Sequence, residues 1–141
     1  MMIRMLDHTA DVGFEIGAPT LEALFEEGRR ALLMTVFEQP PTTGEGEDLV
    51  RLSAPDLETL LVRWINELVH LIQDNGFVPV RADIRVREAG EEGFSLEALL
   101  AGAPLDLEGY GWQGEIKSAT FHGLAVEIEG EGWQARVILD V

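Results

Sequence analysis

The chain has 141 residues, of which 46% are hydrophobic, and this length allows one domain, residues 1–141, to bury a single core. Its 26 acidic residues against 10 basic residues give a formal net charge of −16, which favours a cation or a basic protein surface as partner over nucleic acid. It contains no cysteine, no apolar run long enough to cross a membrane and no basic leader, so we expect a cytoplasmic protein without disulfides or zinc–thiolate sites.

The first predicted elements are a strand and a helix. Polar and apolar residues alternate over Asp11–Ile16, which indicates a strand. Thr20 is a suitable N-cap for a helix that Pro40 stops. The apolar stripe of this helix comprises Leu21, Leu24, Phe25, Gly28, Leu32 and Val36.

A second strand and helix follow a polar loop. Residues 49–52 indicate a short strand, and Ser53 with Asp56 resembles a capping box at the start of the next helix. Gly76 can adopt the left-handed conformation that ends helices. The buried stripe of this helix is predicted to comprise Leu57, Leu60, Leu61, Trp64, Leu68, Leu71 and Ile72.

The second half of the chain is dominated by strands. Apolar residues alternate with polar ones over residues 77–86, 122–128 and 133–139. Residues 94–100 also have helical propensity, but turn signals on both sides favour a strand. Residues 108–114 form a Gly-rich loop. Two early helices and a late run of strands predict an α+β fold, with two helices packed on a mostly antiparallel β-sheet in a single domain.

The first candidate site is Asp7-His8-Thr9-Ala10-Asp11, which places two carboxylates and an imidazole within five residues. Carboxylates are hard ligands suited to Ca²⁺, Mg²⁺ or Mn²⁺. The alternative is a polar loop in which Asp and His stabilise turns. The pattern leaves both interpretations open.

The second candidate is Asp140-Val141, where an Asp side chain and main-chain oxygens follow a strand. Neighbouring negative groups repel each other unless they are solvated, separated or bridged by a cation. The alternative is a frayed, solvated chain end.

Two further motifs have ordinary structural explanations. Glu67 and His70 have the Glu-x-x-His spacing of carboxylate-bundle iron sites, but no second copy exists and a helix-surface role is favoured. Lys117, the only lysine, could anchor a phosphate or a partner carboxylate, or protect a sheet edge. His122 shares the predicted inward face of its strand, which favours a hydrogen-bonded structural role.

These motifs together resemble the archease family over essentially the whole chain. Asp7-His8-Thr9-Ala10-Asp11-Val12-Gly13-Phe14 is similar to the family's N-terminal signature, and Trp64-Ile65-Asn66-Glu67-Leu68 to its second-helix segment. Residues 115–122, Glu115-Ile116-Lys117-Ser118-Ala119-Thr120-Phe121-His122, resemble its late motif, with Ser118 in place of Ala and Phe121 in place of Tyr. The ending Asp140-Val141 also matches.

The resemblance implies a non-catalytic accessory factor for the GTP-dependent RNA-splicing ligase, which promotes the ligase's guanylylation and multiple turnover. It further implies a divalent cation, calcium in the first place and magnesium or manganese otherwise. Asp11, Asp140 and Val141 are the implied ligands, while Asp7, His8, Lys117 and His122 are candidate supporting or partner-contacting residues. No direct nucleic-acid binding is expected, and the oligomeric state stays open.

Two alternatives remain beside this interpretation. One is a general chaperone or protein-interaction module, and the other is a metal-dependent hydrolase using Asp7, His8 and Asp11. No nucleophile motif or phosphate-binding loop accompanies those residues. The loop at 108–114 lacks the Arg-His pair that many family members carry there, so contacts with the partner are expected to differ.

Overall fold

The computed structural model describes residues 1–7 and 12–141, and these form seven strands and three helices. The strands are β1 (Met2–Asp7), β2 (Val12–Ala18), β3 (Gly46–Ala54), β4 (Phe77–Glu88), β5 (Phe94–Pro104), β6 (Ser118–Glu129) and β7 (Gly132–Asp140). The helices are α1 (Leu21–Val36), α2 (Leu57–Gln73) and the single turn α3 (Leu107–Tyr110), and a short 3₁₀ turn spans Gly90–Glu92.

The strands form two antiparallel sheets on which the helices pack. The four-stranded sheet has the order β1-β2-β7-β6, and the three-stranded sheet has the order β3-β5-β4. The predicted α+β class is confirmed. Within the part of the chain that the structure describes, no helix combines the length and apolar character that a membrane span requires.

Helix α2 is the central element of the core because it contacts β3 and β4 on one side and β6 on the other. Trp64 on this helix is fully buried, and its indole Nε1 donates to the Phe25 carbonyl at 2.9 Å. This bond satisfies the one polar atom of a large buried side chain and joins α2 to α1.

Helix α1 begins and buries its stripe as predicted. The Thr20 hydroxyl accepts from the Ala23 N–H at 3.1 Å. A Cβ on Gly28 would lie only 3.3 Å from the Ile65 side chain of α2. Gly28 therefore permits the close approach of the two helices.

The start of α2 differs from the prediction. Asp56, not Ser53, is the N-cap, and its carboxylate accepts from the Thr59 N–H at 2.7 Å. Ser53 belongs to β3, which pairs with β5 as far as Ala54. The ladder holds the backbone of Ser53 extended, so the helix starts later. Gly76 beyond the helix has a φ of 64°, the left-handed conformation that the sequence predicted.

Other differences concern the strands and the loop. Strand β1 was not predicted, because residues 2–7 lack a clear apolar alternation. Residues 94–100 are part of strand β5 as favoured, with Leu96, Ala98 and Leu100 buried. The predicted loop at 108–114 overlaps α3, and Trp112 beyond it is half-buried against Phe37, with ring centroids 5.7 Å apart.

Candidate functional site

The antiparallel register brings the flanks of the N-terminal motif to the end of β7. Asp7 pairs with Val12 across the β1–β2 connection, and Val12 pairs in turn with Leu139. His8 and Asp11 lie outside the described residues. The two candidate sites that are furthest apart in the sequence are thus attached to the same end of one sheet.

Asp140 and Val141 lie at this same end. The Asp140 carbonyl accepts from the Lys117 N–H at 2.8 Å, and Asp140 pairs with Ser118 in the β6–β7 register. Asp140 is exposed, and Val141 is 52% exposed. Lys117, whose side chain is also exposed, is therefore next to Asp140 through its backbone.

Two polar side chains of α2, to which the sequence assigned no role, hold the backbone on both sides of Lys117. The Gln73 amide bonds Ile116 in both directions, accepting from its N–H and donating to its carbonyl, each at 2.8 Å. The Asn66 side-chain oxygen accepts from the Ala119 N–H at 2.6 Å. The sequence offered one hint of this role, because Asn66 is a polar residue that directly follows two buried positions of the helix.

The late motif ends in a large bulge of β6. Thr120 pairs with Ile138 and Ala125 with Arg136, so residues 121–124 lie opposite a single residue of β7. Gly123 has a φ of 66°, which favours glycine at this bend. Phe121 is 62% exposed.

The bulge changes the expectation for His122. Continuous alternation predicted that its side chain shares the inward face, but the extra residues break the alternation and His122 is exposed. The predicted structural role inside the core is therefore wrong. The side chains of His122 and Phe121 are instead exposed to solvent. They follow Ala119 by only two to three residues, and Ala119 pairs with Leu139, the neighbour of Asp140.

The donor atoms at this end are chemically suited to a hard divalent cation. An Asp carboxylate and main-chain oxygens are the ligands that calcium prefers. In residues 1–7 and 12–141, no group of three His, Asp or Glu side chains is arranged to hold a metal. The oxygens of Asp140 and Val141 are thus of the right chemical kind but too few to form a complete calcium site by themselves.

The Glu67 and His70 pair does not act as a unit. His70 Nδ1 lies 2.6 Å from the Asp74 carboxylate, one turn further along and at the end of α2. Histidine at a helix C-terminus also interacts favourably with the helix dipole when protonated. The helix-surface interpretation of His70 is confirmed, with Asp74 rather than Glu67 as its partner.

Together these features define a small acidic α+β protein with two antiparallel sheets, in which Asp7, Val12 and the last residues of the chain lie at the same end of one sheet. The sequence profile of the Archease protein family (MTH1598/TM1083) matches residues 4–141. This chain belongs to the archease family.

Relatives and solved structures agree with this membership. The chain is 33% identical to the protein archease of Methanosarcina mazei over 96% of this chain and 93% of that protein. It is 30% identical to that of Archaeoglobus fulgidus over the full length of both chains. The solution structure of protein 1598 of Methanobacterium thermoautotrophicum has a TM-score of 0.81 at 26% identity, covering 99% of this chain and 98% of that one.

A second structure shares the fold at lower identity. The crystal structure of an archease of Thermotoga maritima, described as a possible chaperone, has a TM-score of 0.63 at 22% identity. It covers 100% of this chain and 98% of that one.

Proposed function

We propose that this protein is an accessory factor that activates a GTP-dependent RNA-splicing ligase by promoting its guanylylation and multiple turnover. The observation that carries the proposal is the register in which Val12 pairs with Leu139, because it attaches the N-terminal motif and Asp140 to the same end of the sheet. Membership of the archease family supports it, and the protein itself needs no catalytic residues for this role.

In this proposal, Asp11, Asp140 and a main-chain oxygen of Val141 hold a divalent cation, calcium in the first place and magnesium or manganese otherwise. The cation supplies a local positive charge among carboxylates that would otherwise repel each other. Asp7 and His8 belong to the same segment of chain and support this group of ligands. The net charge of −16 favours a basic surface on the ligase as the partner.

Lys117 and His122 would contact the ligase beside the cation. Both side chains are exposed, and Lys117 directly precedes β6 while His122 belongs to it. Asn66 and Gln73 of α2 hold the backbone on both sides of Lys117. An ammonium and an imidazole at this position can bind carboxylate or phosphate groups of a partner. The accessory protein would thus present a cation and polar side chains together on one edge.

The test is multiple-turnover RNA ligation with a partner ligase and GTP, comparing wild type, Asp11→Ala and Asp140→Asn. Glu91→Gln is the matched control, because Glu91 is an exposed carboxylate in the turn between β4 and β5. We expect wild type and the control to accelerate turnover. The acceleration by each of the two site variants should be at least tenfold smaller. Calcium binding, measured by calorimetry without ligase, should be lost in the same two variants.

The outcomes separate the parts of the proposal. Stimulation that survives in both site variants would overturn the role of the cation. Stimulation that is missing even with wild type and its cognate ligase would overturn the accessory function. Calcium binding without stimulation would leave the metal site standing and remove the ligase.

The second candidate is a general chaperone, which the exposed hydrophobic residues of β6 favour. Phe121 is 62% and Ile128 is 71% exposed, and such residues can bind unfolded clients. The measurement is light scattering of unrelated aggregating proteins. Suppression that Phe121→Ser abolishes, without any ligase stimulation, would favour this function.

A further inference from the structure

The outward face of the three-stranded sheet concentrates basic residues in an otherwise acidic protein. We name it the arginine face, and its basic residues, four of the ten in the chain, are Arg51, Arg81, Arg85 and Arg87. Arg81, Arg85 and Arg87 lie at alternate positions of β4, with Asp83 between the first two. The sheet adds Arg51, which is 34 or more positions away in the chain from Arg85 and Arg87 but lies across β5 from them.

The register groups three of these arginines at one end of the face. Glu97 of β5 pairs with Arg51 on one side and with Arg85 on the other, and Arg87 pairs with Ser95. These side chains line a shallow cavity of about 290 Å³. Alternate residues of a strand are about 6.6 Å apart, so the arginines of β4 form a row about 20 Å long.

Most of these arginines have no carboxylate partner among the residues that the structure describes. Arg51 Nε lies 3.1 Å from Glu97, but both side chains are more than half exposed, so water screens the pair. In residues 1–7 and 12–141, no carboxylate approaches Arg81, Arg85 or Arg87 within 4.0 Å. This contrasts with Arg4, which pairs with Glu15, and with Arg30, which pairs with Glu27 at 2.6 Å.

The acidic residues on the same outward face are Asp83 of β4, Glu97 of β5 and Glu47 of β3, so four arginines stand beside three carboxylates in a chain that has 26 acidic and 10 basic residues. Arg85 and Arg87 occupy neighbouring outward positions with no carboxylate between them, and an external polyanion relieves the repulsion between their like charges. Carboxylates elsewhere on the protein oppose binding only weakly, because the Debye length is about 10 Å at 0.1 M salt.

We propose that the arginine face binds the phosphate backbone of an RNA strand. Guanidinium groups match phosphate oxygens in a bidentate manner, and a row of about 20 Å suits an extended chain of phosphates rather than one small anion. No aromatic side chain lies at the outward positions of these strands, so the bases are not stacked and binding is independent of sequence.

The inference rests on the proposed function in one respect, because a ligase partner is what would bring RNA to this protein. The face lies on the sheet that does not carry Asp140, so one molecule could engage the ligase with one sheet and its RNA with the other. The expectation of no direct nucleic-acid binding is thereby replaced with weak, salt-sensitive binding.

The experiment is fluorescence anisotropy of the full chain with a labelled 20-nucleotide single-stranded RNA of mixed sequence, from 25 to 200 mM KCl and without ligase. For three phosphate contacts, log K should fall with log salt with a slope of about −2. The double variant R85Q/R87Q should weaken binding at least tenfold at 50 mM salt and reduce the slope to about −0.7. R4Q, which removes an exposed arginine from the other sheet, should leave both unchanged.

Either of two results would overturn the proposal. One is no RNA binding at 25 mM salt, or binding that R85Q/R87Q does not weaken. The other is that poly-L-glutamate binds with the same affinity as the RNA and that R85Q/R87Q weakens both equally. That result would identify an acidic protein as the partner of this face. Because the assay contains no ligase, its failure leaves ligase stimulation untouched, and a failure of stimulation leaves the RNA result standing.

Discussion

The two sheets present their polar groups in different ways. At the end of the four-stranded sheet, side chains of α2 hold the backbone on both sides of Lys117, and β6 departs from regular pairing for four residues. In the three-stranded sheet, β3 pairs with β5 without interruption from Gly46 to Ala54, and its charged side chains stand free in solvent.

The two surfaces should therefore be sensitive to different kinds of substitution. The first depends on backbone positions that half-buried residues such as Gln73 maintain, so substitutions at such supporting positions should disturb it. The second depends on the identity of exposed side chains, so substitutions there should change binding and leave the fold intact. The predictions below test this contrast, from the largest expected effect on stability to the smallest.

Trp64→Ala tests whether the two sheets form one cooperative unit. It removes a fully buried side chain from the helix that contacts both sheets, and it leaves the Phe25 carbonyl without its donor. We expect a loss of about 3–5 kcal/mol in the free energy of unfolding by urea, with a single transition. Two separate transitions would show that the sheets are independent, and Trp64→Phe should cost clearly less.

Gln73→Met tests the support of the first surface. It keeps the approximate volume of the side chain but removes both bonds to Ile116, which should cost about 1–3 kcal/mol. Hydrogen exchange at the Ile116 and Lys117 amides should accelerate more than at β5. The control Gln134→Met, on half-exposed β7 surface, should stay within about 0.5 kcal/mol. Unchanged exchange at Ile116 would contradict the anchoring role.

Asp56→Ala tests the start of α2 beside the three-stranded sheet. Losing the N-cap should cost about 1 kcal/mol at pH 7. The Thr59 hydroxyl and backbone N–H hold the pKa of Asp56 below its usual value, helped by Arg63 and opposed by slight burial. Because the folded-state pKa is lowered, this stabilisation is present above the unfolded-state pKa of about 3.9 and is lost as the pH falls through the folded-state pKa.

Urea unfolding of wild type and Asp56→Ala between pH 7 and pH 2.5 measures this dependence. The two stabilities should converge at the acidic end. A difference that stays constant over the whole range would exclude the ionised carboxylate as the capping group.

Phe121→Ser has the smallest expected effect on stability. The ring is mostly exposed on the bulge, so the free energy of unfolding should change by less than about 0.5 kcal/mol. If the bulge contacts the ligase, stimulation should nevertheless fall severalfold in the ligation assay. A large loss of stability would instead show that the ring supports the bulge.

Local sequence signals were enough to predict the two long helices, most strands and the residue types of the candidate ligands, but not the short helix α3. Periodicity and the Thr20 cap placed α1, and the turn signals on both sides of residues 94–100 placed β5 despite its helical propensity. These signals are local, because each depends on residues only a few positions apart. The motifs at residues 7–14 and 115–122 likewise indicated the archease family, to which the chain belongs.

The contacts between residues that are far apart in the chain are visible only in the tertiary structure. The pairing of Val12 with Leu139, the clamp of Gln73 on Ile116 and the approach of Arg51 to Arg85 across β5 join residues that are far apart in the chain. The bulge also reversed the predicted orientation of His122, because one strand gained residues that its partner lacks. Register is a property of two strands together, so neither strand's own pattern can specify it.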